Sequence, residues 1–389
     1  MSEREEFVTL ASSGGCVSRL CGRFGISRAT GYVWLRRWRE SGLCGLSDRP
    51  RRPLRSPGRT PASMERLIVE LRGQHPMWGG RKLKARLEQL GYSGVPSAST
   101  VTAVLRRHGL ISDEASESAK GWTRFERAEP NELWQMDFKG PIATHGGSCH
   151  ALTVLDDHSR FSLGVRACVN QRSLTVRHQL ESIFGRYGLP WRMLADNGPP
   201  WGGEGLEWTE LTVWLLKLGV LVMHGRPYHP QTQGKDERFH RTLKAELLRR
   251  CDFKHVRHAQ SMMDCWRDVY NLERPHEAIG LVPPATRYRP SPRAMPSRLP
   301  RYEPGPGQTG RVVKEGGHIR HGGRRWYLGQ AWDREVVGLQ PSAQACVTDV
   351  YFGPYLIAKL DAHPEAERAV RLVPVGRRAP DLHQTHQEA

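Results

Sequence analysis

Apolar residues recur every three or four positions through the first hundred residues, then alternate with polar ones from about Asn131. Side chains turn by about 100° per residue on a helix and about 180° on a strand. The switch therefore marks the passage from a helical part to a mixed α/β part. Near the start, "VSRLCGRFGIS" followed by "RATGYVWLRRW" reads as helix, turn, helix. Gly25 is placed for the turn, Ser27 for an N-cap, and Val33, Trp34 and Trp38 for an inward face. Residues 62–112 repeat the pattern in "SMERLIVELRGQ", "GGRKLKARLEQLG" and "SASTVTAVLRRHGLI", a second small helical unit.

Beyond Asn131, "LWQMDFKGPI" predicts a strand, and "HALTVLDDHSRFSLGVRAC" predicts two strands around a turn at 156–159. "SLTVRHQLESIFGRYG" is an amphipathic helix closed by Gly188, and "WRMLADNG" a strand ending in a sharp turn. "EWTELTVWLLKLG" is a helix and "VLVMHGRPYHP" a strand, before two helices, "GKDERFHRTLKAELLRR" and "HAQSMMDCWRDVYNLERPH". Three strands, then alternating helices and strands, describe a mixed α/β layer fold. Pro, Arg and Gly dominate from Pro283 to about Gly317, which reads as a linker. "RVVKEGGHIRHGGRRWYLG", "REVVGLQ" and "ACVTDVYFGPYLIAKLD" read as short strands with Gly turns, hence a small β-barrel-like domain.

The expected organisation is a multidomain chain. Residues 1–46 form a helix-turn-helix domain, 47–61 a basic Pro/Arg linker, 62–112 a second helical DNA-binding unit and 113–129 a linker. Residues 130–290 form an α/β core, 291–307 a linker, 308–362 a small all-β domain and 363–389 a tail.

Charge narrows the class of partner. The 58 Lys and Arg outweigh 40 Asp and Glu for a net +18, too large an excess for an ordinary enzyme of small metabolites. A polyanion, nucleic acid first, fits it. No apolar run approaches the roughly 20 residues that span a bilayer, and the charged start "MSEREEF" has no signal-peptide core. The expectation is a cytoplasmic, nucleoid-associated protein with no membrane partner. Eight scattered cysteines without a C-x-x-C spacing read as reduced thiols, and nothing in their spacing asks for zinc.

The DNA contacts expected from position are Arg28, Thr30 and Tyr32 near the start of the second helix, where a recognition helix meets base edges. Arg51, Arg52 and Arg55 follow in a cationic strap between prolines. His229, Gln231 and Lys235 come just before or at the start of a later helix, and Arg238, Arg241 and Lys244 on it.

That helix also carries adjacent acids, Asp236 and Glu237, in "PYHPQTQGKDERFHRTLKAEL". Phe239, Leu243 and Leu247 share its core face. Asp236 lies close to that face, and Glu237 about 100° away with Arg241 and Lys244. Glu237 is open to two readings: a surface ion pair with Arg241, or a ligand. Asp137 lies in the first strand of the core and Asp196 at the end of a later one. Three carboxylates converging in a basic groove repel one another unless a cation joins them. Oxygen ligands select Mg²⁺ or Mn²⁺, two such ions being expected for phosphodiester chemistry. Asp156 and Asp157 fall in the hairpin turn, where Asp is common for backbone reasons.

"WQMDF", "LADNGPPW" and "PYHPQTQGKDERFHRTLK", with "LDDHSRF" and "YNLERPHEAI", resemble the DDE motifs of bacterial insertion-sequence transposases with a retroviral-integrase-like core. The resemblance covers about 130–290. It implies an RNase H-like fold, with Asp137, Asp196 and Glu237 as the metal-binding catalytic acids. It further implies Mg²⁺-dependent hydrolysis and strand transfer on double-stranded DNA, at the element's inverted repeats and a target, by a homo-oligomer assembled on DNA without a nucleotide cofactor. Two departures stand out. The stretch between Asp196 and Glu237 is longer than usual for the family, with the surplus in "WGGEGLEWTEL", and Asp236 stands where an apolar residue is common. A DNA-binding repressor derived from a transposase, without catalysis, shares the charge and the helix-turn-helix. A plain RNase H-like nuclease explains the core alone.

Overall fold

The computed structural model describes residues 2–48, 59–111, 126–196, 198–202, 208–224, 234–314, 316–363 and 369–373. It divides into two compact units, Met1–Pro61 and Ala62–Ala389.

The first unit holds α1 (Glu3–Ser12), α2 (Val17–Arg23) and α3 (Arg28–Ser41), followed by a 3₁₀ turn, Gly42–Leu46. Ser2 and Glu5 form a capping box on α1, and the Ser27 hydroxyl accepts the Thr30 amide at the start of α3. Gly25, at φ 62°, makes the turn between α2 and α3. Phe7, Val8, Cys21, Leu35 and Leu46 form the core, with Trp34 and Trp38 packed against it. Val33, expected to turn inward, is only half-buried and outside this cluster. Its place is taken by Gly31 and Leu35, because α3 crosses α1 and α2 closely at Gly31. A Cβ there would lie 2.7 Å from Cys21 Sγ and 2.8 Å from Phe7 Cζ.

The second unit opens with α4 (Ala62–Gln74), α5 (Gly80–Gln89) and α6 (Ala98–Arg107) around Ile68, Trp78, Leu83, Leu87, Val101 and Leu105. Next comes a five-stranded sheet of β1 (Leu133–Thr144), β2 (Gly147–Asp156), β3 (Ser162–Cys168), β4 (Arg192–Ala195) and β5 (Leu221–His224). Its order is β3-β2-β1-β4-β5. The first three strands are antiparallel, and β4 and β5 run parallel to β1. This is the mixed α/β layer expected from the sequence. Helices α7 (Ser173–Tyr187) and α8 (Glu210–Lys217) cover one face, where Trp134, Met136, Leu152, Val154 and Met193 point. Helices α9 (Gly234–Leu243) and α10 (Val256–Leu272) cover the other, over Cys149, Ala151, Leu155 and Val165. Gly188, at φ 77°, closes α7 as its sequence predicts.

Three features differ from the sequence expectation. The helix after α9 widens into a π-turn, Lys244–Leu248. Glu246 there accepts from Trp266 Nε1 at 3.2 Å and Arg274 Nε at 2.9 Å, while Leu247 stays in the core. Residues 287–302, read largely as linker, form an irregular strap on the core. Tyr288 stacks on Phe161 at 4.2 Å, Arg293 lies over Trp191 at 4.2 Å, and Met295 joins the α7/α8 cluster. A further strand, β12 (Val370–Leu372), lies past the expected end of the β domain and pairs with β11 (Tyr355–Asp361). Three residues are too few to show alternation.

The C-terminal region holds β6 (Thr309–Val312), β7 (His318–His321), β8 (Arg324–Tyr327), β9 (Val336–Pro341) and β10 (Val347–Phe352), besides β11 and β12. Its sheet has the order β12-β11-β10-β9-β6, beside a β7–β8 hairpin. It is antiparallel throughout. Its core of Trp326, Trp332, Val350 and Phe352 is continuous with Val213 and Leu216 of α8.

The crossing at Gly31 gives a direct test. Gly31→Ala overpacks it and should cost about 1–3 kcal/mol. Hydrogen exchange on the full chain should then show residues 3–46 losing protection while the α/β core keeps it.

Candidate active site

Strand parity and register bring two acids together. Trp134 and Met136 enter the α7/α8 core, so Gln135 and Asp137 point to the α9/α10 side. β1 runs beside β4 with Gln135 opposite Leu194. Two residues further, the same register sets Asp137 beside Asp196, which follows the last residue of β4. Burial pushes Asp137 up to about 6. A hydrogen bond from the Phe138 amide opposes the rise and the charge of Asp196 adds to it. Burial raises Asp196 too, although the Gly198 amide donates to it. Lys139 and His224 pull the two acids the other way without cancelling the rise.

The third element is α9. Asp236, Phe239, His240 and Leu243 form its buried face, while Glu237, Arg238, Arg241 and Lys244 are exposed. Glu237 makes no ion pair with Arg241 among the described residues. Of the two helix acids, Asp236 is the one turned toward Asp137. It is 2% exposed, and its Oδ1 meets no hydrogen-bond partner among the described residues. Burial, then the charges of Asp137 and Asp157, hold its carboxyl well above the usual range. His240 follows one turn later, lowered to about 4 by burial and hence neutral.

The three acids named from the sequence are thus only partly gathered. Asp137, on the central strand β1, and Asp196, just past the end of β4, are neighbours. Among the described residues no three His, Cys, Asp or Glu side chains stand in metal-holding geometry. The chemistry of the pair nevertheless suits a hard divalent cation: two carboxylates, partly buried and insufficiently compensated, offer oxygen only.

Other expected site residues fall as follows. Lys235 donates to Asp157 Oδ1 at 2.5 Å, side chains 18% and 5% exposed, and so ties the first turn of α9 to the β2–β3 turn. Asp157 also accepts from Gln135 Nε2 and the Arg127 amide, and Asp156 from the Asn131 amide and Ser159. Both hairpin acids serve the backbone and its supports, as expected of a turn. Arg28 and Tyr32 are exposed on α3, while Thr30 is half-buried and engaged in the Ser27 cap. Arg36 and Arg39 extend the same exposed face. The reading from sequence missed them, although their spacing of four and seven from Tyr32 announces them. Arg51, Arg52, Arg55, His229 and Gln231 lie outside the described residues.

Comparison with known proteins agrees with this architecture. Residues 3–53 match the helix-turn-helix domain and 30–105 a homeodomain-like domain. Residues 127–230 and 218–284 each match an integrase core domain. These matches place helix-turn-helix domains ahead of an integrase core and support an enzyme of the transposase/integrase class. Its relatives include proteins of bacterial insertion elements. It is 25% identical over 224 residues to an uncharacterized 31.7 kDa protein of insertion element IS407 from Burkholderia multivorans, covering 56% of this chain and 78% of that one. It is 27% identical over 156 residues to an uncharacterized 39.2 kDa protein of insertion element IS476 from Xanthomonas euvesicatoria, covering 40% and 44%. A Gag-Pol polyprotein of avian reticuloendotheliosis virus is 30% identical over 128 residues, 33% of this chain and 11% of the polyprotein. Among solved structures, the catalytic core domain of BIV integrase superposes with a TM-score of 0.31 at 23% identity, covering 40% of this chain and 92% of that one. A simian T-cell lymphotropic virus intasome, in complex with a PP2A regulatory subunit, gives a TM-score of 0.39 at 13% identity, covering 79% and 95%.

Asp236 makes a pH-dependent prediction. Its folded pKa lies above its unfolded value near 4, so its favourable contribution is complete below that value. It declines as pH rises toward the folded pKa, by up to about 1.4 kcal/mol per pH unit. Thermal unfolding in EDTA should therefore show Asp236→Asn losing less stability than wild type between pH 5 and pH 8. Equal losses in the two proteins would exclude a buried, proton-holding Asp236.

Proposed function

We propose that this chain is the transposase of an insertion element, binding the element's inverted-repeat ends and cutting and joining DNA with Asp137, Asp196 and Glu237. The observation that carries the reading is that the β1–β4 register, continued past Gln135 and Leu194, brings Asp137 beside Asp196 in the middle of the sheet, both raised by burial with no sufficient cation beside them. Mg²⁺ or Mn²⁺, as two ions, would be held by Asp137 and Asp196, with Glu237 as the further donor. Bound there, the metal supplies Lewis acidity at the phosphorus and a lowered pKa for the attacking oxygen.

The chain's own residues bind and orient. Arg28 and Tyr32, with Arg36 and Arg39, present α3 to a major groove. Arg51, Arg52 and Arg55 follow as a cationic strap on the backbone. Arg238, Arg241 and Lys244 line the exposed side of α9 beside Glu237 and hold phosphates near the acids. His229 and Gln231 precede that helix in sequence and would contact the same DNA. In the first step water attacks phosphorus and the 3′ oxygen leaves as a hydroxyl. In the second, that hydroxyl attacks a target strand and displaces its 3′ oxygen. No covalent enzyme intermediate and no nucleotide cofactor are required. Two ends must be held together, so the working form is a homodimer or larger assembly on double-stranded DNA. No helix among the described residues is long and apolar enough to cross a membrane, and the nucleoid is the natural site of action.

A DNA-binding repressor without catalysis is the second reading. One observation favours it: the three acids are not gathered among the described residues.

Incubating full-length protein with end DNA in Mg²⁺ or EDTA separates the two. Asp137→Asn, Asp196→Asn and Glu237→Gln should each lower strand cleavage by at least a thousandfold while end DNA is still bound. Cleavage at the wild-type rate by any one of them removes that residue from the site, and no Mg²⁺-dependent cleavage by wild type leaves the repressor. End binding should also weaken steeply with salt, since phosphate contacts release counterions.

A further inference from the structure

Behind Asp137, a polar contact fastens the inner face of α9 to the sheet. His240 is 7% exposed and stands three residues past Glu237 on the inner face of the helix. Its Nε2 lies 2.8 Å from Thr153 Oγ1, and that hydroxyl lies 3.0 Å from the main-chain carbonyl oxygen of Asp137. Thr153 is the β2 residue directly opposite Asp137 in the antiparallel pair. A carbonyl only accepts, so the single hydroxyl proton goes to Asp137 O, and Thr153 receives the Nε2 hydrogen of His240. Nδ1 sits 3.6 Å from Asp137 Oδ2, beyond hydrogen-bond range, and the Phe138 amide donates to Oδ1. His240 thus reaches Asp137 through the main chain, by way of Thr153, and makes no hydrogen bond to Oδ2.

We infer that His240 is a positioning residue for the cation-binding acid. Through Thr153 it sets the spacing between α9 and β1, and its Nδ1, held 3.6 Å from Asp137 Oδ2, leaves that oxygen free to ligate a divalent cation. The inference rests on the function proposed above, in which Asp137 is a ligand. A donor at this place would compete with the cation for the same lone pair. A missing contact would let the helix that carries Glu237 shift against the strand that carries Asp137. Outer partners of this kind commonly change metal affinity by about 10–100-fold.

The test is Mn²⁺ binding to the metal-free full-length protein, followed by calorimetry. His240→Leu and Thr153→Val should each weaken binding by about 10–100-fold. His240→Gln carries an amide that reaches the Nε2 position and should recover most of the loss. His240→Asn reaches only the Nδ1 position and should not. Wild-type affinity in Thr153→Val, a near-isosteric change that keeps the fold, overturns the inference, as does a His240→Gln variant no better than His240→Leu. Asp137→Asn separates the ligand role of Asp137 from the positioning role of His240. Loss of Mn²⁺ binding there supports Asp137 as a ligand, and retained binding refutes that reading and the role of His240 with it.

Discussion

Strand β1 is held on both sides, and its register decides where chemistry is possible. On one side it pairs antiparallel with β2, which sets Thr153 opposite Asp137. On the other it pairs parallel with β4, which brings Asp196 alongside. A slip of one residue would exchange the two faces of the strand. Trp134 and Met136 would leave the α7/α8 core, and Asp137 would enter it. Burial of those two large side chains therefore protects the placement of the carboxylate.

The remaining polar contacts make the surroundings of that strand stiff. Asp157 joins Gln135 of β1 to Lys235 of α9. Asn271 of α10 exchanges hydrogen bonds with both main-chain groups of Ser162, fixing the start of β3. Arg274 meets Glu246 in the π-turn, and Tyr270 packs edge-on against Phe239 and His276. The "YNLERPHEAI" segment thus serves as a brace that reaches α9, β3 and the π-turn together. Its charged residues look like surface chemistry in sequence but are largely structural.

Much of this was legible in the sequence because the relevant signals are local. Periodicity separated helices from strands, Gly188 and Ser27 marked ends, and angular spacing put Asp236 and Glu237 on different faces. The rest depends on partners far along the chain. Lys235 looks like a phosphate contact until Asp157, 78 residues away, is placed beside it. The strap at 287–302 is rich in proline and arginine, yet Tyr288 and Arg293 find aromatic partners that no local pattern reveals. His240 and Thr153 were passed over for the same reason: a lone histidine on an apolar helix face gains meaning only from the hydroxyl opposite.

The second helical unit shows what such long-range contacts do at a larger scale. Arg86 of α5 pairs with Glu273 at 2.6 Å, Gln89 donates to the Leu281 carbonyl, and Val269 of α10 packs against the α4–α6 core. The unit is therefore fastened to the same helix that braces the sheet. Contacts from several elements thus fix where α4–α6 stand relative to α10, so anything held by that unit would meet the sheet at one bearing.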